Sequence, residues 1–554
     1  MSNESQLEKA QNGGFLTKLG IYGKMSGPGW VQAAVTLGGG SLVGALYLGV
    51  IGGYEFLWLQ PLAMLCGIIM LAAISYVTLS VKERPFRVME KKVSPTLAWG
   101  WLIATVVADT VFCAAQFSLG RGAIEDNLGI NFVEQVGTDY APYIITGSLF
   151  IIAMTLIWIS QKNAKASALI DNILKILVGV IVVCFMAVVV VLIGNGAVSW
   201  GNVLSGYIPD FSALFKPTDQ IATAIAATGD SSGYWTDYVL GEQRSKIIAA
   251  FGTAVGINMT FLLPYSLKKK GWSKPHRELS RYDLFLGLFI PFILGASALV
   301  IASAASFHAK SGDILTAEGK PIPGMEGSYN SVLDKRLSKT EGFADLNKEE
   351  QLALRANAPL PERQLAAMLS NRDSKSLAKS LEPFLGKNSQ LIFGIGVLAM
   401  AVSTLLVHMM MNGYAISEAF NKVGNAKYFI AGAAMPAIAG FFSPALWNGA
   451  SKAAMAVPAS VIATTLLPIA YLGFLLLMNS RAALGDQLPK RRNLINVLML
   501  FSAGMASAAS VWSLWGKYQS SDPYTHNFGL FGMIALAALA IIGISGFMKR
   551  NKTA

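Results

Sequence analysis

Three consecutive glycines and a hydroxyl, Gly38-Gly39-Gly40-Ser41, lie in the middle of an apolar run that extends from Gly27-Pro28-Gly29-Trp30 to about Gly53. Glycine tolerates unwound backbone, and an unwound stretch presents carbonyl and amide groups that a closed helix keeps for itself. Groups of this kind hold ions near the bilayer midplane in many transporters. The triplet equally suits a stripe of small residues for close helix packing, and the segment alone does not separate the two. A second interruption is expected in a later apolar run that contains Leu262-Leu263-Pro264-Tyr265. Proline removes a donor and clashes with the preceding turn, so this helix should kink or unwind near Leu263.

Other polar groups stand inside apolar runs. Asp109, in Val106-Val107-Ala108-Asp109-Thr110, is the main acid of this kind. An intramembrane carboxylate is a candidate for coupling or ion binding by default, with a structural hydrogen-bonded acid as the alternative. Gln116 lies about two turns on and shares its face. Ser403, Thr404, His408 and Asn412 form a polar face, the last three recurring at intervals of four on one side of a helix. That face suits either an ion site or hydrogen bonds between helices. Met409-Met410-Met411 point in different directions and so read as packing, and Asp171 and Lys175, one turn apart, are expected to pair.

No His cluster, HExxH, GxSxG or P-loop spacing is present, which argues against an enzyme and against ATP-driven transport by this chain. Cys66, Cys113 and Cys184 have no metal-knuckle spacing and fall in separate apolar runs, so buried free thiols are expected. No cofactor is implied.

The elements that must position these groups are membrane helices. The 554 residues are 53% hydrophobic and only 14% charged, with mean hydropathy +0.49. Soluble domains carry about 25% charged residues, so the deficit indicates a polytopic all-α membrane protein. About twelve apolar segments are long enough to span, near 31–53, 55–80, 97–123, 142–160, 167–195, 246–267, 283–307, 389–420, 427–443, 452–478, 492–516 and 526–548. If spans one to five and six to ten are two halves, the interrupted helices are the first of each, running oppositely; matched breaks of this kind point to a transport site.

Net charge is +12, but the Lys and Arg cluster in short loops and form no stripe interleaved with aromatics, so nucleic acid is excluded as a partner. Lys82, Arg84, Arg87, Lys91 and Lys92, then Lys162 and Lys165, then Lys268, Lys269 and Lys270, and finally Lys549, Arg550 and Lys552 fall on one side. Basic loops stay in the cytoplasm, which places both termini there and suits a bacterial inner membrane. The polar N-terminal residues Ser2 to Gln11 lack the features of a cleaved signal peptide. Three regions follow: spans one to seven in 1–308, a polar extramembrane insert in 309–388 with short amphipathic helices, and spans eight to twelve in 389–554. The segment 196–245 reads as external, with Gly229-Asp230-Ser231-Ser232-Gly233 as a loop.

The Gly-Pro-Gly-aromatic opening of Gly27 to Trp30, the glycine triplet that follows it, Leu263-Pro264-Tyr265, the tenth-span run from Ser460 to Leu467-Pro468, and the loop residues Asn479-Ser480-Arg481 and Leu484-Gly485-Asp486 together resemble the Nramp family of divalent-metal transporters. The resemblance implies inverted five-helix repeats with broken helices one and six, the architecture of leucine-type sodium symporters. It further implies an ion site between those helices, and proton coupling in typical members. Gly38 then stands where the family has a metal-binding Asp, Ser41 where it has Asn, Leu263 where it has Met, Tyr265 where it has His, and Ser460 where relatives place an amide ligand. Asp109 matches an acid on the family's proton route, whose second acid reads Phe112.

On this reading no side chain stands out as a metal ligand. Backbone carbonyls at Leu37, Gly38 and Leu262, with Ser41 and water, would hold a hard or partly hydrated cation better than a dry Mn²⁺ or Fe²⁺. The expectation is a secondary-active transporter of a small inorganic ion, a divalent cation of atypical selectivity, coupled to a proton or sodium and lying in a lipid bilayer. Two alternatives stay open: a same-fold carrier of an organic ion or amino acid, and a membrane receptor or scaffold that uses the 309–388 insert.

Overall fold

The computed structural model describes residues 3–551 apart from 131, 324, 340–342, 344, 345, 373, 381, 383–385, 448–451 and 521. Lys552 lies outside the described residues. The architecture is all-helical. Two short helices, α1 (Asn3–Gln11) and α2 (Phe15–Met25), precede the first span. That span is a bent pair, α3 (Pro28–Thr36) and α4 (Gly39–Gly52), with a 54° angle between its halves. Then come α5 (Leu59–Ser80), an amphipathic connector α6 (Pro85–Lys92), α7 (Pro95–Gly122), α8 (Ala141–Ser160) and α9 (Ala164–Gly194). The second half begins with α10 (Ser232–Ala254) and α11 (Ile257–Lys269), followed by α12 (Ile290–Phe307), which extends back without interruption to Lys274. After the insert run α13 (Ser389–Ala419), α14 (Ala426–Phe441), α15 (Ala456–Asn479), α16 (Arg492–Tyr518) and α17 (Pro523–Asn551).

Among the described residues nine helices are long and apolar enough to cross a membrane, or ten if the bent α3–α4 pair is one span. The remaining two segments expected as spans correspond to α14, apolar but only 16 residues, and to the interrupted, more polar pair α10–α11. Helix starts follow local chemistry: Pro28 and Pro95 occupy first-turn positions where no donor is needed, while the side chains of Ser94 and Asn163 accept backbone N–H bonds at the starts of α7 and α9. Cys66 and Cys113 are buried thiols and Cys184 is partly buried.

Three features differ from the sequence expectation. The sixth span starts earlier, at Ser232 rather than near 246, so of the expected loop Gly229–Ser231 forms a short 3-10 helix and Ser232 and Gly233 belong to the span. Its interruption falls at Val255-Gly256, both in extended conformation, rather than near Leu263; Pro264 sits inside the continuous helix α11. Asp171 pairs with Lys270 at 3.1 Å, while Lys175 donates instead to the Ser26 carbonyl at 2.9 Å.

Two apolar cores form. The larger spans the helical bundle. The smaller joins the outer part of α10, through Trp235 and Val239, and the preceding Ile221 and Ile225 to Ile314, Tyr329, Leu333 and Leu365 of the insert. The insert contains helices Glu326–Leu337, Lys348–Asn357 and Leu360–Leu369. Two of its charges are buried: Arg372 makes a two-pronged contact with Asp313 at 2.9 Å, and Glu362 accepts from Ser231 Oγ and Trp235 Nε1 and pairs with Arg336.

Candidate functional site: a cavity between two broken helices

The α3–α4 break is built from glycine because nothing larger fits. A Cβ added at Gly38 would lie 2.5 Å from Thr404 Oγ1 on α13, and one at Gly39 would lie 3.0 Å from Gln116 Oε1 on α7. Real Cβ contacts at such distances require the neighbour to move. Breaking the helix frees backbone groups, and side chains satisfy several of them. The Gly39 N–H donates to Gln116 Oε1 at 2.9 Å, Thr404 Oγ1 donates to the Ala34 carbonyl at 2.8 Å, and Ser41 Oγ donates to the Thr36 carbonyl. Across the gap, Thr36 Oγ1 is 3.3 Å from the Ala254 carbonyl, the last of α10, and Gln32 Nε2 donates to the Met259 carbonyl at 3.3 Å. The first broken helix thus supplies side-chain partners for carbonyls on either side of the second break.

Between the breaks lies a cavity of about 20 Å³. A single water-sized probe needs about 10–15 Å³, so the space holds one water or one ion. Gly38, Gly40 and Ser41 line it from the first break, Gly256, Asn258 and Met259 from the second, Phe112 and Gln116 from α7, and Thr404 and His408 from α13. Asp109, fully buried on α7, stands behind this wall. Its Oδ1 accepts from Asn258 Nδ2 at 3.0 Å and lies 2.9 Å from His408 Nδ1. The Phe112 ring stacks on the His408 ring, with centroids 5.3 Å apart and planes 8° from parallel. Two buried polar atoms here have no protein partner, Asp109 Oδ2 and Gln116 Nε2.

The sequence candidates therefore divide. Gly38, Gly39, Gly40, Ser41, Asp109, Gln116, Thr404 and His408 meet at the cavity or directly behind it. Ser403 lies alongside, its hydroxyl between the Ala34 and Met400 carbonyls. Asn412 does not take part: its Nδ2 donates to the Gly432 carbonyl of α14 at 2.7 Å. Ser460 turns back onto its own helix, bonding the Ala456 carbonyl at 2.7 Å, and does not line the cavity. Leu263, Pro264 and Tyr265 lie more than a turn beyond the break and are absent from the cavity wall, as is Leu262, expected to offer its carbonyl. Asn258 and Met259 were not among the residues expected at the site; the local signal for them is an Asn two positions after Gly256 within an apolar run.

Tyr265 has a different place. Its hydroxyl bonds Glu418 Oε2 at 2.7 Å, and its ring stacks on Phe261 and Tyr414. Glu418, with no exposed side-chain surface, also pairs with Arg84 at 3.0 Å and Arg87 at 2.9 Å. Burial works against the Arg87 cation, but the Glu90 and Glu418 carboxylates outweigh it and hold the guanidinium above its ordinary range. Nearby, the amides of Gly27 and Gly29 at the start of α3 donate to the Asp283 carboxylate at 2.8 and 2.6 Å, a negative charge at a helix N-terminus. At the opposite end of the bundle, Lys452 pairs with Glu125 and Asp126, each at 2.8 Å.

The Nramp family model, natural resistance-associated macrophage protein-like, matches residues 29–320 and 364–516. The chain belongs to the Nramp family. Members of this family are metal-ion transporters and not enzymes, and with its apolar helices this Nramp chain is an integral multi-pass membrane protein. Solved structures of a manganese transporter from Eremococcus coleocola share the fold. A point mutant aligns with TM-score 0.56 at 14% identity, covering 95% of this chain and 94% of that one. A complex with an aromatic bis-isothiourea substituted compound aligns with TM-score 0.56 at 15% identity, covering 97% and 96%. No curated protein sequence matches the chain.

Proposed function

We propose that this Nramp protein is a secondary-active transporter that carries a divalent metal ion by alternating access around the two breaks. The observation that carries the reading is the cavity itself: room for one ion, between two interrupted helices, with partnerless polar atoms in and behind its wall. Pockets for organic ligands run to hundreds of Å³, so the space favours an inorganic ion over an amino acid or organic ion. The ionic clusters at the two ends of the bundle, Glu418 with Arg84 and Arg87, and Lys452 with Glu125 and Asp126, are the contacts that opening toward either side would break. Asp109 is the group through which a coupling proton or sodium acts, since among the described residues it alone brings a carboxylate to the site. The basic loops and both termini face the cytoplasm of a bacterial cell, and the insert lies outside.

Uptake into proteoliposomes tests this. Vesicles holding the full chain should accumulate at least one of Mg²⁺, Ca²⁺, Mn²⁺, Co²⁺ or Zn²⁺ faster than empty vesicles. Fluxes equal to empty vesicles for all five would sink the proposal.

A further inference from the structure

We propose that the cleft between α10 and α16 binds an anionic phospholipid from the leaflet on the insert's side, with the Arg244 guanidinium taking its phosphate. The site is separate from the ion cavity and does not depend on which ion is carried.

The cleft has a volume of about 180 Å³, and its wall includes Phe215 before α10, Arg244, Ile247 and Ile248 on α10, and Ala509 and Trp512 on α16. Arg244 is the one charged residue of that wall among the described residues. Its Nε donates to the Leu214 carbonyl at 3.0 Å, and the guanidinium stands 5.5 Å from the centre of the Trp512 ring. These two contacts fix the plane of the fork and leave its terminal N–H groups to a ligand. No carboxylate among the described residues pairs with it. Glu242, the acid nearest in sequence, is taken by Lys246 at 3.1 Å and by Lys335 at 3.7 Å. A rigid guanidinium with free parallel donors in an apolar cleft suits a phosphate, which it grips with two bonds.

Depth makes that phosphate a lipid's. Arg244 lies ten residues before Ala254, the last residue of α10 and the edge of the second break. At 1.5 Å per residue the separation is about 15 Å, which is half of a hydrocarbon core about 30 Å thick. With the break near the midplane, Arg244 stands at the boundary between acyl chains and headgroups. Trp512 and Trp515, both exposed, occupy the last two turns of α16 at the same boundary, as aromatic residues do at bilayer interfaces. Phe215 is 71% exposed and Trp512 54%, so the cleft opens to the bilayer. Its volume is below that of pockets that enclose drug-sized ligands, and its apolar floor matches a stretch of acyl chain. A larger groove of about 520 Å³ between α15, α16 and α17 provides a contrast: no charged residue lines it, so it accepts acyl chains without regard to the headgroup.

Photocrosslinking of the full chain in lipid nanodiscs tests the assignment, with the labelled residues located by peptide mass spectrometry. The probes are phosphatidylglycerol and phosphatidylcholine, each carrying a diazirine in an acyl chain. In wild type, phosphatidylglycerol should label Ile247, Ile248 and the Ala509–Trp512 stretch about fivefold more than phosphatidylcholine does. In the groove between α15, α16 and α17 the two probes should label equally. Arg244→Gln should bring phosphatidylglycerol labelling of the cleft down to the phosphatidylcholine level and leave the groove unchanged. Equal labelling of the wild-type cleft by both lipids, or by neither, overturns the inference without any variant, so misfolding of a mutant cannot shield it. An Arg244→Gln protein that melts like wild type and keeps the preference overturns it too. Excess inorganic phosphate, compared with chloride at matched ionic strength, should leave the labelling in place; its loss would assign the site to a free anion and overturn the lipid.

Discussion

Gly38 is glycine for a steric reason. Thr404 Oγ1 would lie 2.5 Å from its Cβ, because α13 is drawn against the break by the bond from Thr404 to the Ala34 carbonyl. The acid that the family resemblance leads one to expect at this position has no room, and the carboxylate of the site comes instead from Asp109, one layer back. Gly38→Ala is expected to destabilise the protein by about 1–3 kcal/mol through overpacking, read as a lower melting temperature in detergent. Adding Thr404→Ala should recover part of that loss; a double variant no more stable than Gly38→Ala would show that the contact is not the cause. Gly38→Asp should be worse than Gly38→Ala, since it adds a buried charge to the clash.

Among the elements, α10 and α11 show where local chemistry and fold diverge. Pro264 lacks one donor, and its ring is accommodated within α11 at the loss of a single backbone bond, so the helix continues. The chain interrupts at Val255-Gly256 instead, where α3 supplies Thr36 Oγ1 to the freed Ala254 carbonyl. The continuous α11 then carries Tyr265 to Glu418, making a buried charge cluster with Arg84 and Arg87. Removing one partner of a buried ion pair costs about 3–5 kcal/mol. Glu418→Gln should therefore lower stability by that order in thermal melts, whereas Tyr265→Phe, which loses one hydrogen bond to a charged group, should cost about 1.5–3 kcal/mol. Equal stability of Glu418→Gln and wild type would mean the cluster carries no net weight. The polar and apolar runs made the helices themselves legible, but a break depends on which neighbour can receive the freed backbone, and that neighbour lies more than two hundred residues away.

At the scale of the molecule, an open vestibule of about 580 Å³ lies at the insert end, lined by Glu55, Asp210, Asp219 and His308 among others. Burial, and then the charges of Asp219 and Asp210, push the Glu55 carboxyl above its usual range. Acidic mouths concentrate cations by their field, and salt screens the effect over about 8 Å at physiological ionic strength. Neutralising all three, Glu55→Gln with Asp210→Asn and Asp219→Asn, should raise the KM for a cation about threefold at low salt and less at high salt. Because Glu55 is held above the usual carboxylate range, it takes up a proton early as pH falls, so wild-type KM should rise on acidification. A KM independent of salt, pH and the three substitutions would remove the vestibule from the uptake path.

Composition and hydropathy alone determined that this is a helical membrane protein with a polar insert, and the glycine triplet marked a position that suits either a break or a packing stripe. These properties are additive along the chain: each residue adds its transfer energy or backbone freedom wherever it sits. The tertiary structure decided which polar groups meet. Asp109, Asn258 and His408 come from three helices up to 299 positions apart, and Ser460, Asn412 and Tyr265, equally conspicuous in the sequence, are directed elsewhere by packing. A site in a membrane bundle is an intersection of helix faces, and the rotation of each face is fixed by its neighbours rather than by its own residues.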